Sequence, residues 1–466
     1  MRTIIAGAGA VGTHLARMLS TENINVILID SSEERLSKVN TDLDIMTLAI
    51  EPTSVEGMKN AGVDSADLFI AVTPDECENI MCCMLAKQMG AKRTVARIDN
   101  YEYMKPENKK LFDNMGISSL IYPELLAAKE ISDSCKYSWA RQIWEFGEHG
   151  DLVLMSVKIH DKYYNDKSFY DDGGDDENDR NILIGHTLRE IALRNGHRFH
   201  VVAIKRDGET IHPHGDIRIE PHDLVFIMTT RDNIPFIAEV SGKKGYPSIK
   251  NALIIGGGKL SVRADWAMPN NMDLKIVEPN QERCEKLGSL LKSRTMVING
   301  EGHDIDLLTD EGLNHLDAFI ALSENDEENI LACVAARRHG VRKTIAQVEN
   351  LDYLDMAESL DVGTVINKKV IAASHIYQML LKSSVDNVKM LTVAEADVAE
   401  FVVKKGSRVT RDMVMNLGLP RGVNIGGMFR EGKGQLVSGQ TQLQEGDKVV
   451  VFCIAGTLKR LDKFFK

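Results

Sequence analysis

The chain has 466 residues, with 56 Lys and Arg against 68 Asp and Glu, a formal net charge of −12. At about 150 residues per domain that length implies about three domains. A content of 43% apolar and 27% charged residues excludes global disorder, and the acidic balance disfavours nucleic acid or an anionic membrane as the main partner. Half of the charge is local, because residues 161–179 hold eight acids and two lysines, a pattern of one solvated loop. No apolar run approaches the about 18 residues that would span a bilayer. The seven cysteines show no CxxC spacing and read as small core residues of a reducing compartment.

From the start, residues 2–6 form an apolar β-rich run and residues 10–20 are helix-periodic. Residues 25–29 make a buried strand that ends at Asp30 and Ser31, ahead of a helix from about Ser32. A short strand at 45–48, a helix at 54–60, a strand at 68–72, a helix at 75–89 and a strand at 94–98 follow. Strands without polar alternation, separated by helices, predict a parallel sheet covered on both faces.

The same order returns from 251 to about 381. Gly62-Val-Asp-Ser-Ala-Asp-Leu-Phe-Ile-Ala-Val-Thr matches Gly312-Leu-Asn-His-Leu-Asp-Ala-Phe-Ile-Ala-Leu-Ser at an offset of 250. Asn79 falls on Asn329, Cys83 on Cys333, Asn100 on Asn350 and Tyr103 on Tyr353. The chain is a duplication. After each copy, at 151–233 and again from 389, the pattern changes to short alternating strands with Gly and Pro turns, including 200–205, 215–219 and 223–228. A linker at 240–248 carries Gly242, Gly245 and Pro247. The expected fold is α/β: two Rossmann-like lobes at 1–139 and 248–388, each followed by a small α+β lobe, at 140–247 and 389–466.

Gly7-Ala-Gly-Ala-Val-Gly12 is a full GxGxxG between a strand and a helix. Gly7 makes the turn, Gly9 lets a pyrophosphate approach the backbone, and Gly12 lets the helix pack on the strand, with Ala10 and Val11 completing the helix start. The helix N-terminus offers free N–H groups to phosphate. Asp30, at the end of the next strand, accepts from ribose hydroxyls and repels a 2′-phosphate, which favours NAD or an adenine nucleotide over NADP. In the second copy Gly256 and Gly258 are kept, Ser261 replaces the third glycine and Glu278 replaces the acid. A serine at the closest strand–helix contact is expected to push the helix outward, and a vestigial packing turn is the competing reading.

These residues, together with Asp67-Leu-Phe-Ile-Ala-Val-Thr73, Asn79 and Ala96-Arg97, Gly185-His-Thr-Leu-Arg-Glu and the repeated order from Asn251, make the chain resemble the TrkA family over essentially its full length. That family comprises the cytosolic regulatory subunits of Trk potassium-uptake systems, built of tandem RCK (KTN) domains. The resemblance implies regulatory binding of NAD(H) or of ATP/ADP and no enzymatic activity. It also implies a homotetrameric ring on the cytoplasmic face of a membrane-embedded K⁺ transporter subunit, with no nucleic acid partner and no membrane insertion of its own. Carried over by position, Gly7, Gly9 and Gly12 face the phosphates, Asp30 faces the ribose, and Thr73 and Asn79 lie near the ligand. Arg97 contacts terminal phosphates, or else forms an ion pair in the sheet–helix layer. In the second half Gly256, Gly258, Glu278, Gly300, Glu301, Ser323 and Asn329 match. Two departures suggest specialised sites: Gly300-Glu-Gly302 stands where the first copy has Ile50-Glu-Pro-Thr-Ser54, and Gln347 stands where it has Arg97.

Two rival readings remain. Tyr101 and Lys105 have the YxxxK spacing of an NAD-dependent dehydrogenase, although Pro106 follows and no serine partner is evident. A soluble nucleotide sensor for another transporter or enzyme is the other. His212 and His214 would share a strand face, so a metal site is conceivable, with core and loop histidines the better reading.

Overall fold

The computed structural model describes residues 1–21, 24–160, 183–246, 248–381, 387–391, 396–420, 422–454 and 458–465. The acidic segment 161–179 lies outside the described residues.

The first lobe alternates strand and helix. It runs β1 (Arg2–Ala6), α1 (Ala10–Thr21), β2 (Asn25–Asp30), α2 (Glu33–Asp42), β3 (Met46–Ala49), α3 (Val55–Asn60), β4 (Leu68–Ala71), α4 (Glu76–Met89), β5 (Arg93–Arg97), α5 (Pro106–Asn114), β6 (Ser119–Ile121) and α6 (Pro123–Ser134). The strands pair in the order β3-β2-β1-β4-β5-β6, the doubly wound Rossmann arrangement. Successive strand residues serve opposite faces, as the pleat requires. Ile5, Leu28 and Ile70 pack with Leu15 and Leu36 of α1 and α2, while Ile4, Ile27 and Phe69 pack with Met58, Cys83 and Phe112 of α3, α4 and α5. Helices α2, α3 and α4 start where a polar side chain can take free N–H groups, whereas α5 and α6 open on Pro106 and Pro123. Ser32 accepts from Arg35 N, Ser54 from Gly57 N, and Asp75 from Cys77 N and Glu78 N.

The first small lobe holds β7 (Gln142–Phe146), β8 (Leu152–Lys158), α7 (Leu188–Asn195), β9 (Phe199–Arg206), β10 (Glu209–Ile211), β11 (Leu224–Thr230) and α8 (Ile234–Val240). Its antiparallel sheet has the order β10-β9-β11-β8-β7. The strand expected at 215–219 is absent there: that stretch makes one isolated bridge, between Arg218 and Thr187. Its backbone is instead held by the turn around α7, where Arg189 N donates to Gly215 O and Leu188 N to Ile217 O.

The second copy repeats the plan: β12 (Asn251–Ile255), α9 (Lys259–Ala267), β13 (Asp273–Glu278), α10 (Gln281–Leu290), β14 (Met296–Asn299), α11 (Ile305–Asp310), β15 (Ala318–Ala321), α12 (Asp326–Arg338), β16 (Lys343–Gln347), α13 (Leu354–Ser359), β17 (Thr364–Ile366) and α14 (Lys368–Leu381). Its sheet order is β14-β13-β12-β15-β16-β17. The last lobe holds β18 (Asn387–Leu391), β19 (Ala396–Val402), β20 (Val423–Arg430), β21 (Lys433–Leu436), β22 (Lys448–Ile454) and α15 (Leu458–Phe465). Its order β18-β19-β22-β20-β21 repeats that of the first small sheet.

The halves interlock. Helix α6 leaves the first lobe and buries Ala127, Ala128, Ile131 and Cys135 against Ala252, Ile254 and Leu260 of the second. In return α14 places Ala373, Ile376 and Tyr377 against Leu15 and Leu19 of the first. Cross-lobe hydrogen bonds run from Ser132 Oγ to Ala267 O at 2.9 Å and from Arg93 Nη1 to Met379 O at 3.1 Å. The small sheets pack on one another through Trp144, Phe226 and Met228 on one side and Val398, Phe429 and Phe452 on the other.

Candidate functional site

The glycine turn of the first lobe stands at the carboxyl edge of its sheet, where β1 passes into α1. Gly7 has φ +108°, and a Cβ there would lie 2.9 Å from Thr73 N, so this turn needs glycine twice over. A Cβ at Gly12 would fall 1.9 Å from Gly7 O. Gly9 is different: nothing stands within 4 Å of its Cβ direction, and its backbone is free for a ligand to approach. Gly258 in the second turn is open in the same way.

The acids are built into these turns. Asp30 is buried, and its Oδ2 accepts from Ala8 N at 2.6 Å while Oδ1 accepts from Ser32 N at 2.8 Å. Glu278 repeats this, with Oε2 on Gly257 N at 2.7 Å and Oε1 on Asn280 N at 2.9 Å. One carboxylate thereby fixes both the glycine turn and the start of the next helix. An arginine flanks each: Arg35 lies 3.7 Å from Asp30, and Arg283 lies 3.4 Å from Glu278. Sequence reasoning missed this pair, although both arginines stand five residues after the acid in both copies.

Asn79 and Asn329, in the first turns of α4 and α12, brace the sheet edges. Asn79 Oδ1 accepts from Thr73 N at 2.8 Å, and its Nδ2 donates to Thr73 O and Arg97 O, both at 3.0 Å. Asn329 makes the same three bonds to Ser323 N, Ser323 O and Gln347 O. Each asparagine holds the end of one strand to the end of the next, and so sets the position of Thr73 and Arg97. The Arg97 guanidinium pairs with Asp99 at 3.2 Å, while its Nε is buried without a partner. Beyond it, Glu76 Oε2 accepts from Asp99 N and Asn100 N at 2.8 Å each, a clamp that Asp326 repeats on Glu349 N and Asn350 N.

The second turn opens on a cavity of 340 Å³ lined by Gly257, Gly258, Lys259, Arg263, Arg283 and Lys286, with Glu324 at its rim. Ser261 is accommodated because its Oγ donates to Gly256 O, the carbonyl equivalent to the one a Cβ at Gly12 would strike. The hydroxyl thus meets that carbonyl as a hydrogen-bond donor. Gly300 N donates to Glu278 O at 3.2 Å, which sets Gly300 and Glu301 beside the acid, as Ile50 N on Asp30 O does in the first copy.

Other candidates resolve differently. Tyr101 is packed edge-on against Trp266 at 5.6 Å under the guanidinium of Arg263, so its ring is structural. Burial holds His200 near a pKa of about 4, and its ring lies 6.3 Å from that of His197. Cys82 and Cys83 are buried free thiols in the first lobe's core. No helix among the described residues is long and apolar enough to cross a membrane.

Two parallel-sheet lobes with glycine turns, each trailed by a small antiparallel lobe, define a tandem Rossmann-type protein. The TrkA-N domain model matches residues 3–123 and 252–368, and the TrkA-C domain model matches 178–240 and 398–466. The chain belongs to this TrkA-N/TrkA-C family. It is 28% identical over 461 residues to a Trk system potassium uptake protein TrkA of Haemophilus influenzae, covering 97% of this chain and 95% of the relative. It is 26% identical over 476 residues to a Trk system potassium uptake protein TrkA homolog 1 of Methanosarcina mazei, covering both chains fully. Among solved structures, the GsuK channel bound to NAD superposes with a TM-score of 0.58 at 13% identity, covering 100% of this chain and 78% of that one. The GsuK RCK domain gives 0.58 at 14%, covering 100% and 94%. These relatives are named for potassium uptake and channels, not for enzymes.

Proposed function

We propose that the chain is the cytosolic regulatory subunit of a Trk-type potassium-uptake system, in which binding of NAD(H) or ATP/ADP at the glycine turns changes the gate of a membrane K⁺ transporter. The observation that carries this reading is the duplicated turn, held open by a buried carboxylate, within a chain that resembles TrkA proteins from end to end. In this reading Gly7, Gly9, Ala10, Val11 and Gly12 seat the phosphates, Asp30 the ribose and Arg97 the distal phosphates. Gly256, Gly258, Glu278, Gly300, Glu301 and Ser323 form the second site, and Thr73, Asn79 and Asn329 set the walls. Four chains form a ring that docks on the inner face of the membrane subunit, each of the domains at 1–139, 140–247, 248–388 and 389–466 serving as one lobe.

Such a ligand acts only through unequal affinity for two states of the ring, and couplings of about 1–3 kcal/mol per site add over several sites. The test is K⁺ flux through a Trk-type membrane subunit in proteoliposomes, with and without this chain and each nucleotide. Flux that depends on chain and nucleotide together supports the reading; flux indifferent to the chain refutes it.

A further inference from the structure

The seam between the two parallel-sheet lobes holds a contact that the duplication did not repeat. Helix α9 begins directly at the second glycine turn, and two of its cations cross to the first lobe. Lys259 Nζ donates to Asp99 O at 3.3 Å. The Arg263 guanidinium lies 4.0 Å from the ring centre of Tyr101 and 4.8 Å from that of Trp266, its own helix neighbour. Tyr101 in turn lies 6.2 Å from Tyr122, at the entry to α6. A guanidinium between aromatic faces at these distances is an attractive, geometry-dependent contact.

What these cations grip is the loop that leaves β5. That loop begins at Arg97, whose guanidinium is paired with Asp99, and Glu76 fixes the N–H groups of Asp99 and Asn100. A shift of Asp99 therefore moves the ion-pair partner of Arg97. Lys259 and Arg263 also line the cavity at the second turn. In the mirror-related seam the corresponding positions are Ala10, His14 and, for Tyr101, Leu351, so neither the long cations nor the aromatic ring is present.

We propose that α9 and the loop from Asp99 to Tyr101 form a clamp, built into only one of the two seams, through which a phosphate group at the second glycine turn alters ligand affinity at the first, and reciprocally. This rests on the nucleotide reading given above. A phosphate at Gly258 competes with Asp99 O for the Lys259 ammonium, because a charged acceptor outbids a carbonyl. The loop and Arg97 are then released toward a second arrangement. Differential contacts of this kind yield couplings of about 5- to 150-fold.

The test measures ADP affinity at the first-lobe site by calorimetry on the full chain, in wild type, Gly258→Leu, Tyr101→Leu and the double variant. Gly258→Leu fills open space at the second turn with neutral bulk, and Tyr101→Leu installs the residue that the second copy carries as Leu351. Wild type and Gly258→Leu should differ about fivefold or more in first-site affinity, and the difference should fall to about twofold or less in the Tyr101→Leu background. Lys259→Ala, an exposed change to the residue found at Ala10, should abolish it likewise should Tyr101→Leu fail to fold. A difference that persists in both backgrounds, or equal affinities in wild type and Gly258→Leu, overturns the clamp alone. Absence of ADP binding from all variants and wild type overturns the nucleotide reading and the clamp together.

Discussion

Asp30 has two tasks in one carboxylate. It ties Ala8 N at 2.6 Å, which shapes the glycine turn, and in the proposed function it also receives the ribose. Asp30→Ala therefore leaves a buried N–H without its acceptor, a loss of about 1–3 kcal/mol. Nucleotide affinity at the first turn should fall by about 5- to 150-fold, read by calorimetry; unchanged affinity would show that the acid serves the fold only. Asn79→Ala tests a different role. Three hydrogen bonds to strand ends, two of them buried, disappear, so thermal unfolding should show a destabilisation of about 2–3 kcal/mol. The glycines and Asp30 were legible in the sequence because a strand, a turn and a helix start are local. The pairing of Asn79 with Thr73 and Arg97 was not, since it joins residues that only the parallel sheet brings side by side.

Among the elements, the strand–helix turns show how far one residue sets packing. At Gly12 an added Cβ would meet Gly7 O at 1.9 Å, so Gly12→Ala must push α1 from its strand, at a cost of about 1–3 kcal/mol in melting experiments. Ser261→Gly should cost less. The seam at β16 supplies a pH-dependent case. Lys343 is buried, and its ammonium donates to Ala140 O at 2.6 Å, Arg141 O at 3.0 Å and Thr364 Oγ1 at 3.1 Å, fastening the second lobe to the connection after α6. Burial pushes its pKa down to about 7, whereas the unfolded chain keeps that proton to about 10.4. Between these values the unfolded state binds more protons, so stability attributable to Lys343 rises with pH across that window. Wild type minus Lys343→Met in denaturant melts at pH 7 and pH 10 should show this rise; a flat or falling difference contradicts it. Strands and helices of the parallel lobes were readable from apolar runs and cap residues. The exchange of α6 and α14 was not, because an apolar helix face declares that it is covered and not by which lobe. The missing strand at 215–219 failed for a related reason: alternation alone does not supply a neighbouring strand to pair with.

For the whole molecule, the duplication explains most of what the length concealed. Two parallel-sheet lobes share one plan, two small sheets pack face to face, and the departures between copies include positions that the proposed function assigns to the sites or to the seam beside them: Pro52 against Gly302, Arg97 against Gln347, Ala10 against Lys259. The central claim is that these turns bind nucleotide, and equilibrium titration of the full chain with NADH, NAD, ATP and ADP tests it most directly, in wild type and in Gly9→Leu/Gly258→Leu. Neither glycine has an atom within 4 Å of an added Cβ, so the double variant places bulk where the proposed function seats the phosphates. The account predicts saturable binding of at least one nucleotide to wild type and its loss in the double variant. No binding to wild type, or binding that survives in the double variant, would contradict it.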